Sequence, residues 1–304
     1  MTTKHFSVDD QLEKASNATI TETKIEERVK SIIEKSKNVT GERKLELLLQ
    51  AITHIDLTSL KGGETFEDIK DLCKKAVNPI NIDFKWKKAV RTPAVCVFPA
   101  SLHDAIKALQ DLESRSEVKV ACVAGDFPAA ELPLKDRLNE IKQVVSNGAD
   151  EIDIVISRKL AIGHNWKELY EELKQAQELC KGKKLKTILA TGDLPTLKEV
   201  YIASMVAMLA GSDFIKTSTG KEKVNATLPV GVVMCKAIKD FYNISGRKIG
   251  LKPAGGIKTS EDTIEWMTLV SEELGNEWLT DDLFRIGASS VLDDIVKSVH
   301  ALKS

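Results

Sequence analysis

Eight short runs rich in β-branched and small apolar residues recur along the chain, separated by segments of helical period long enough to cross a sheet. The runs are Ile52–Thr58, Ala94–Pro99, Val118–Ala124, Glu151–Ile156, Lys186–Thr191, Phe214–Thr219, Ile249–Gly256 and Arg285–Ser290. Helical stretches follow over roughly 64–77, 101–112, 134–147, 166–181, 195–210, 227–242, 260–274 and 290–302. Strand and helix alternating in this way imply parallel pairing through right-handed crossovers, and eight such units close into a barrel. The expected fold is therefore α/β, a (β/α)8 TIM barrel with an N-terminal helical extension. An open doubly wound sheet is the rival. Against it, no run is followed by the G-x-G-x-x-G turn of a dinucleotide fold, and no G-x-x-x-x-G-K-[ST] occurs.

A length of 304 residues suits one barrel over 41–304 with a polar extension over 1–40. Within the extension Ile25, Val29, Ile32 and Ile33 fall on one face of a helix, which should dock after a frayed tip. The 44 basic and 45 acidic residues nearly cancel, so neither a nucleic-acid nor a membrane surface is expected. Cys73, Cys96, Cys122, Cys180 and Cys235 form no C-x-x-C pair and point to a reduced compartment. With no apolar leader in Met1–Asp10, the expected location is the cytosol, with the nucleus also open. A homo-oligomer is compatible with the fold, since such barrels associate through their outer surfaces.

In a barrel of this type the chemistry lies at the carboxyl ends of the strands. Lys216 alternates with Ile215 and Thr217 in the sixth run, and if the Ile face meets the helices the lysine points into the barrel mouth. Lys252 occupies the late part of the seventh run. Asp153 alternates with Ile152 and Ile154 in the fourth, which places a carboxylate inside. A single lysine in a strand is usually an edge guard or a snorkelling side chain, and Asp153 alone reads as a structural counter-charge. Two lysines at the ends of neighbouring strands call for another reason.

A lysine of ordinary pKa is neutral in about one molecule in 2,500 at pH 7, and only the neutral amine attacks a carbonyl. Two ammonium groups about 6 Å apart, at an effective dielectric near ~20, repel by about 3 kcal/mol, which depresses one pKa by about 2. Partial desolvation supplies the remainder. The pair makes one amine nucleophilic while the other stays charged.

Small residues mark the ends of the last three runs: Thr219-Gly220-Lys221, Gly255-Gly256, and Gly287-Ala288-Ser289-Ser290. Glycine permits close backbone approach, serine supplies a hydroxyl at a helix start, and amides there favour an anion. The loops after strands seven and eight are the frequent phosphate site of this fold. His5, His54, His103, His164 and His300 are scattered, so no metal centre and no cofactor is expected.

The strings Phe214-Ile-Lys-Thr-Ser-Thr-Gly-Lys221, Lys252-Pro-Ala-Gly-Gly256, Arg285-Ile-Gly-Ala-Ser-Ser290, Asp150-Glu-Ile-Asp153 and Ile55-Asp-Leu-Thr58 resemble the signatures of deoxyribose-phosphate aldolase. The similarity spans about residues 45 to 295, and Lys186–Gly192 looks like the eukaryotic branch. The resemblance implies a class I aldolase that reversibly cleaves 2-deoxy-D-ribose 5-phosphate, a small phosphorylated sugar, to D-glyceraldehyde 3-phosphate and acetaldehyde. It implies Lys216 as the Schiff-base lysine, Lys252 as its pKa-lowering partner and Asp153 as the carboxylate that moves protons through a water. It also implies substrate contacts from Asp56, Thr58, Thr219, Gly220, Lys221, Gly255, Gly256, Lys258, Gly287, Ser289 and Ser290.

Three positions depart from the family's bacterial members. Lys258 stands where many have an arginine, so a bidentate phosphate fork becomes a point charge. Ala190 replaces a frequent Glu, and the chain ends in His300-Ala-Leu-Lys-Ser304 with no tyrosine. Cys96 and Cys122 read as core thiols, although Cys96 could meet an aldehyde product at the mouth. Two other readings share the fold: a phosphate-binding isomerase or decarboxylase that uses lysine only as a charge, and a silent phosphosugar-binding scaffold.

Overall fold

The computed structural model describes residues 7–82, 84, 86 and 89–303. Among them are eight strands: β1 Ile55–Thr58, β2 Ala94–Val97, β3 Lys119–Ala124, β4 Glu151–Val155, β5 Lys184–Ile188, β6 Phe214–Lys216, β7 Gly250–Lys252 and β8 Ile286–Ala288. They lie in the order β7-β6-β5-β4-β3-β2-β1-β8, every pair parallel. The ring closes between β7 and β8, where Leu251 bridges Phe284 and Ala254 bridges Gly287. Across this seam the Arg285 amide donates to the Leu251 carbonyl at 3.0 Å and the Gly287 amide to the Pro253 carbonyl at 2.9 Å. The (β/α)8 barrel is thereby established.

Helices α4 Phe66–Val77, α5 Leu102–Asp111, α6 Leu134–Ser146, α7 Arg158–Ile162, α8 Trp166–Leu179, α9 Leu197–Ala210, α10 Leu228–Ser245, α11 Ser260–Leu274 and α12 Val291–Ala301 follow the strands. Short α7 adds one turn to the connection after β4. Helices α1 Val8–Ser16, α2 Glu22–Lys37 and α3 Gly41–Ile52 precede them. As expected from the period, Ile25 and Ile32 of α2 are buried, with Val29 packed beside them. Arg28 and Lys35 pin α2 to Glu272 and Glu273 of α11.

Two helices were not legible as such. The region of α1 reads as a polar tip, yet Leu12 and Ala15 are buried and the Ser7 hydroxyl caps the Asp10 amide. Its reason lies in α9, which buries residues around nearly its whole circumference. A helix that is apolar all round needs cover on its outer side as well, and α1 packs there. The frayed tip expected ahead of α2 is thus corrected over Val8–Ser16, which is a docked helix, while residues 1–6 lie outside the described residues. Likewise α3 hides its Leu45, Leu48 and Ile52 face against α11 and α12. The fifth strand begins two residues earlier than its run suggests and ends at Ile188, short of Thr191; Ala190 takes φ 51°, a left-handed conformation incompatible with extended backbone.

Strand alternation sorts the side chains into two sets. Val95, Val97, Val120, Ile152, Ile154, Leu185, Ile215, Leu251 and Ile286 face the helices in one continuous apolar core. The inward positions of β2 and β3 are small or apolar: Ala94, Cys96, Ala121 and Val123 form a separate cluster with Leu60. The other strands, β8 through Arg285 just ahead of it, each bring a charged side chain inward, beside uncharged ones such as Val155 and Ile188, and this half of the barrel interior carries the chemistry.

Candidate active site

Seven charged side chains meet inside the barrel, each at an inward strand position. Asp56 comes from β1, Glu151 and Asp153 from β4, Lys186 from β5, Lys216 from β6, Lys252 from β7, and Arg285 from the residue before β8. All are at most 3% exposed. The register explains the meeting: Asp153 lies opposite Lys186, and Lys216 directly opposite Lys252. Asp153 Oδ2 accepts from Lys216 Nζ at 2.8 Å and from Lys252 Nζ at 2.7 Å, while its Oδ1 accepts from Lys186 Nζ at 2.9 Å. Below this layer Lys186 and Lys252 both reach Asp56 Oδ2, at 3.2 and 2.5 Å. Arg285 forks over Asp56 Oδ1 at 2.6 Å and both oxygens of Glu151 at 2.9 and 3.1 Å. Lys186 also pairs with Glu151 at 2.6 Å.

The shared oxygen keeps the nitrogens of Lys216 and Lys252 within about 5.5 Å of each other, close enough for about 3 kcal/mol of repulsion at an effective dielectric near 20. The pair is not alone, however. Burial is the first cause that pulls the Lys216 pKa below the lysine norm; Asp153 opposes it, and Lys252 adds its repulsion to the burial. Burial also acts on Lys252, but Asp153 and Asp56 outweigh it and hold its pKa above the norm. Lys186 stays charged for the same reason, with Glu151 as a third anion. Desolvation is likewise overcome at Asp153, where Lys186, Lys216 and Lys252 hold the carboxyl well below the usual range. One amine is pushed toward neutrality while its neighbours are locked as cations. The two lysines stand side by side as the sequence implies, but repulsion is not the main cause: desolvation comes first, and the attraction of the intervening Asp153 is larger than the repulsion from Lys252.

Above the array opens a cavity of about 250 Å³. Of the array, Lys216 alone among the described residues lines it. Thr58, Thr219, Gly220, Lys221, Gly255, Gly256, Lys258, Gly287, Ser289 and Ser290 also line it, so these sequence-derived candidates converge on one space. Asp56 does not: it is fully buried beneath, tied to Arg285 and Lys252. Ser59, Leu60 and Lys61, on the loop after β1, complete the wall and were missed; the end of a barrel strand was the available signal. Lys186, Glu151 and Arg285 were missed as well. Their signal was charge at successive inward positions of otherwise apolar strands.

The loops are held by local chemistry. Glu222 accepts from the Thr219 amide at 3.0 Å and from its hydroxyl at 2.7 Å, so this hydroxyl braces the loop. Lys221 reaches across the opening to the Leu60 carbonyl at 2.8 Å. Gly255 has φ 77°, and a Cβ there would sit 2.6 Å from Asn225 Oδ1. At Gly287 an added Cβ would approach Ala254 Cβ to 2.8 Å and Lys252 Cε to 3.2 Å; glycine thus lets the chain pass the buried lysine. Ser289 and Ser290 are exposed at the start of α12, where free amides favour an anion. Cys96, fully buried, has its thiol pKa raised by burial and then by Asp153, and it does not line the cavity. Among the described residues, no group of three or more His, Cys, Asp or Glu side chains is placed to hold a metal ion.

The profile of the DeoC/LacD family aldolases matches residues 50–293 of this chain. The chain belongs to the DeoC/LacD aldolase family. Mouse deoxyribose-phosphate aldolase is 51% identical over 273 residues, covering 88% of this chain and 85% of the mouse protein. The human deoxyribose-phosphate aldolase is 50% identical over the same shares. A tetrameric deoxyribose phosphate aldolase from Aeropyrum pernix superposes with a TM-score of 0.65 at 22% identity, covering 89% of this chain and 97% of that one, which shows a common fold. Membership of this aldolase family makes the chain an aldehyde-lyase, in place of the isomerase and decarboxylase readings.

Proposed function

We propose that Lys216 is the imine-forming lysine of a class I aldolase, Lys252 its charged partner and Asp153 its proton carrier. The chain is an aldolase that reversibly cleaves 2-deoxy-D-ribose 5-phosphate to D-glyceraldehyde 3-phosphate and acetaldehyde. One observation carries the assignment of residues: of the buried array, the amine whose pKa is pulled down is the one that opens onto the cavity.

In the cleavage direction, neutral Lys216 adds through Nζ to C1 of the open-chain sugar, and loss of water leaves an iminium. The C3 hydroxyl gives its proton to Asp153 through a water; the C2–C3 bond breaks, and its electron pair flows to the iminium nitrogen. D-Glyceraldehyde 3-phosphate departs, leaving an enamine on Lys216. Protonation of the enamine carbon and addition of water release acetaldehyde and the free amine. The low pKa of Asp153 keeps it an ionised acceptor at neutral pH. Asp153→Asn removes that acceptor and should lower kcat by about a hundredfold or more, measured as acetaldehyde release; unchanged kcat would remove Asp153 from proton transfer.

The phosphate is assigned to the rim formed by Gly255, Gly256, Gly287, Ser289 and Ser290, with Lys221 and Lys258 as point charges. Replacing both Ser289 and Ser290 by Ala should raise KM for deoxyribose 5-phosphate by about tenfold or more, each lost bond to a charged group being worth about 1.5–3 kcal/mol. KM for plain deoxyribose should not move, and equal effects on the two sugars would relocate the phosphate. Asp56 is assigned to the array rather than to direct substrate contact. The cytosol is the compartment proposed, because all five cysteines are free and buried. A homo-oligomer is proposed by likeness to the tetrameric relative, to be tested by sedimentation.

A further inference from the structure

The array beneath the cavity has an odd count. Lys186, Lys216, Lys252 and Arg285 bring four cationic groups, against three carboxylates from Asp56, Glu151 and Asp153. Every member is at most 3% exposed and only Lys216 touches the cavity, so a net charge there is expensive. We propose that Arg285 and Glu151, with Lys186, are positioning residues that fix the charge of the array so that it balances only when Lys216 has lost its proton.

The geometry singles out Lys216 as the group that gives way. Arg285 is held by two carboxylates, and a guanidinium does not deprotonate in proteins. Lys186 touches all three anions and Lys252 touches two, whereas Lys216 touches one. The proton least compensated is therefore the one on the nucleophile.

Lys61, Lys221 and Lys258 face Lys216 from the cavity wall, and Lys119, Lys184, Asp150 and Asp213 lie about the outer end beside Glu151. All stand on solvent-facing surfaces, where water screens them. The groups packed directly against the array add no charge. On β2 it meets the Cys96 thiol, kept protonated by burial. Ala121 and Val123 line the inner face of β3. Ahead of β1, burial first and Arg285 second bring His54 down to about 3, so it is neutral. Asp282, near Arg285, is paired with Lys184 at the outer end. Lys252 alone would not balance this count: without Arg285, Asp56 and Glu151 would leave the array neutral with Lys216 protonated. The second cation beside the nucleophile thus depends on a third and a fourth below it, neither of which reaches the cavity.

The inference rests on Lys216 being the imine-forming amine, and the test separates the two. The observable is the acid limb of kcat/KM against pH, with borohydride trapping of substrate on Lys216 followed in parallel. Arg285→Met removes a positive charge, so the limb should move to higher pH. Glu151→Gln removes a negative charge, so it should move to lower pH. For a charge roughly 8 Å away at an effective dielectric near ~20, each movement is about 1.5 pH units. Arg285→Lys keeps the charge and should leave the limb in place. The Arg285→Met, Glu151→Gln double variant restores the balance and should return the limb to that of the wild type. If a single variant fails to fold, the double variant decides, because it removes both partners of one pair and leaves no orphan charge. Limbs that do not move, or that move the same way in both single variants while trapping on Lys216 persists, overturn the proposal and leave the Lys216 assignment standing. Absence of trapping on Lys216 in the wild type removes the assignment itself.

Discussion

Lys216→Met should lower kcat for deoxyribose 5-phosphate cleavage by about 10⁴-fold or more while leaving the protein folded. The activity falls because no other amine of the array lines the cavity, and without an imine there is no acceptor for the electron pair of the C2–C3 bond. The fold persists because the side chain removed is the one under least compensation. The sign of the stability effect follows from linkage. Lys216 has a folded-state pKa below its ordinary value, so unfolding takes up a proton in the window between the two, and the buried lysine lowers stability there. Methionine removes that term, so the thermal midpoint at pH 7 should stay level or rise. A variant that is inactive because it is unfolded, or one that keeps more than a few percent of activity, contradicts the account.

The second large effect is expected at Lys252. Lys252→Met removes the cation that shares Asp153 Oδ2 with Lys216. The repulsion of about 3 kcal/mol then vanishes, so Lys216 binds its proton about a hundredfold more tightly. Activity at pH 7 should fall by about that factor, and the acid limb of the pH profile should move upward by about 2. Part of the lost rate should return at pH 9, where the amine is neutral again. A uniform loss at every pH would make Lys252 a structural residue instead of one that tunes the nucleophile.

The fold was legible because one simple periodicity repeats. Each of the eight runs contains or overlaps a strand, and the helices begin and end within a few residues of the expected stretches. What was hidden depended on distant partners. Ser7 before Asp9 and Asp10 is a local helix-start signal, but nothing in Val8–Ser16 announces that the helix covers α9. The end of β5 depends on the backbone conformation of Ala190. The residues that converge on the cavity were legible for a different reason: small and hydroxylated side chains at strand ends have few uses in a packed barrel. Lys216, Lys252 and Asp153 were recognisable because each is a charge flanked by apolar neighbours in a strand. Arg285, between Phe284 and Ile286, fits the same rule, while Glu151 beside Asp150 and Lys186 beside Thr187 fit it on one side only. Asp56 and Thr58 show its limit, since both lie inward on one strand, yet one sits under the site and the other on its wall.

The most direct test of the central claim is chemical. Reducing the protein with borohydride in the presence of deoxyribose 5-phosphate, then mapping the product by mass spectrometry, should place a stable secondary amine on Lys216 in step with loss of activity. An adduct on another lysine, or full inactivation with an unmodified Lys216 peptide, would contradict the account.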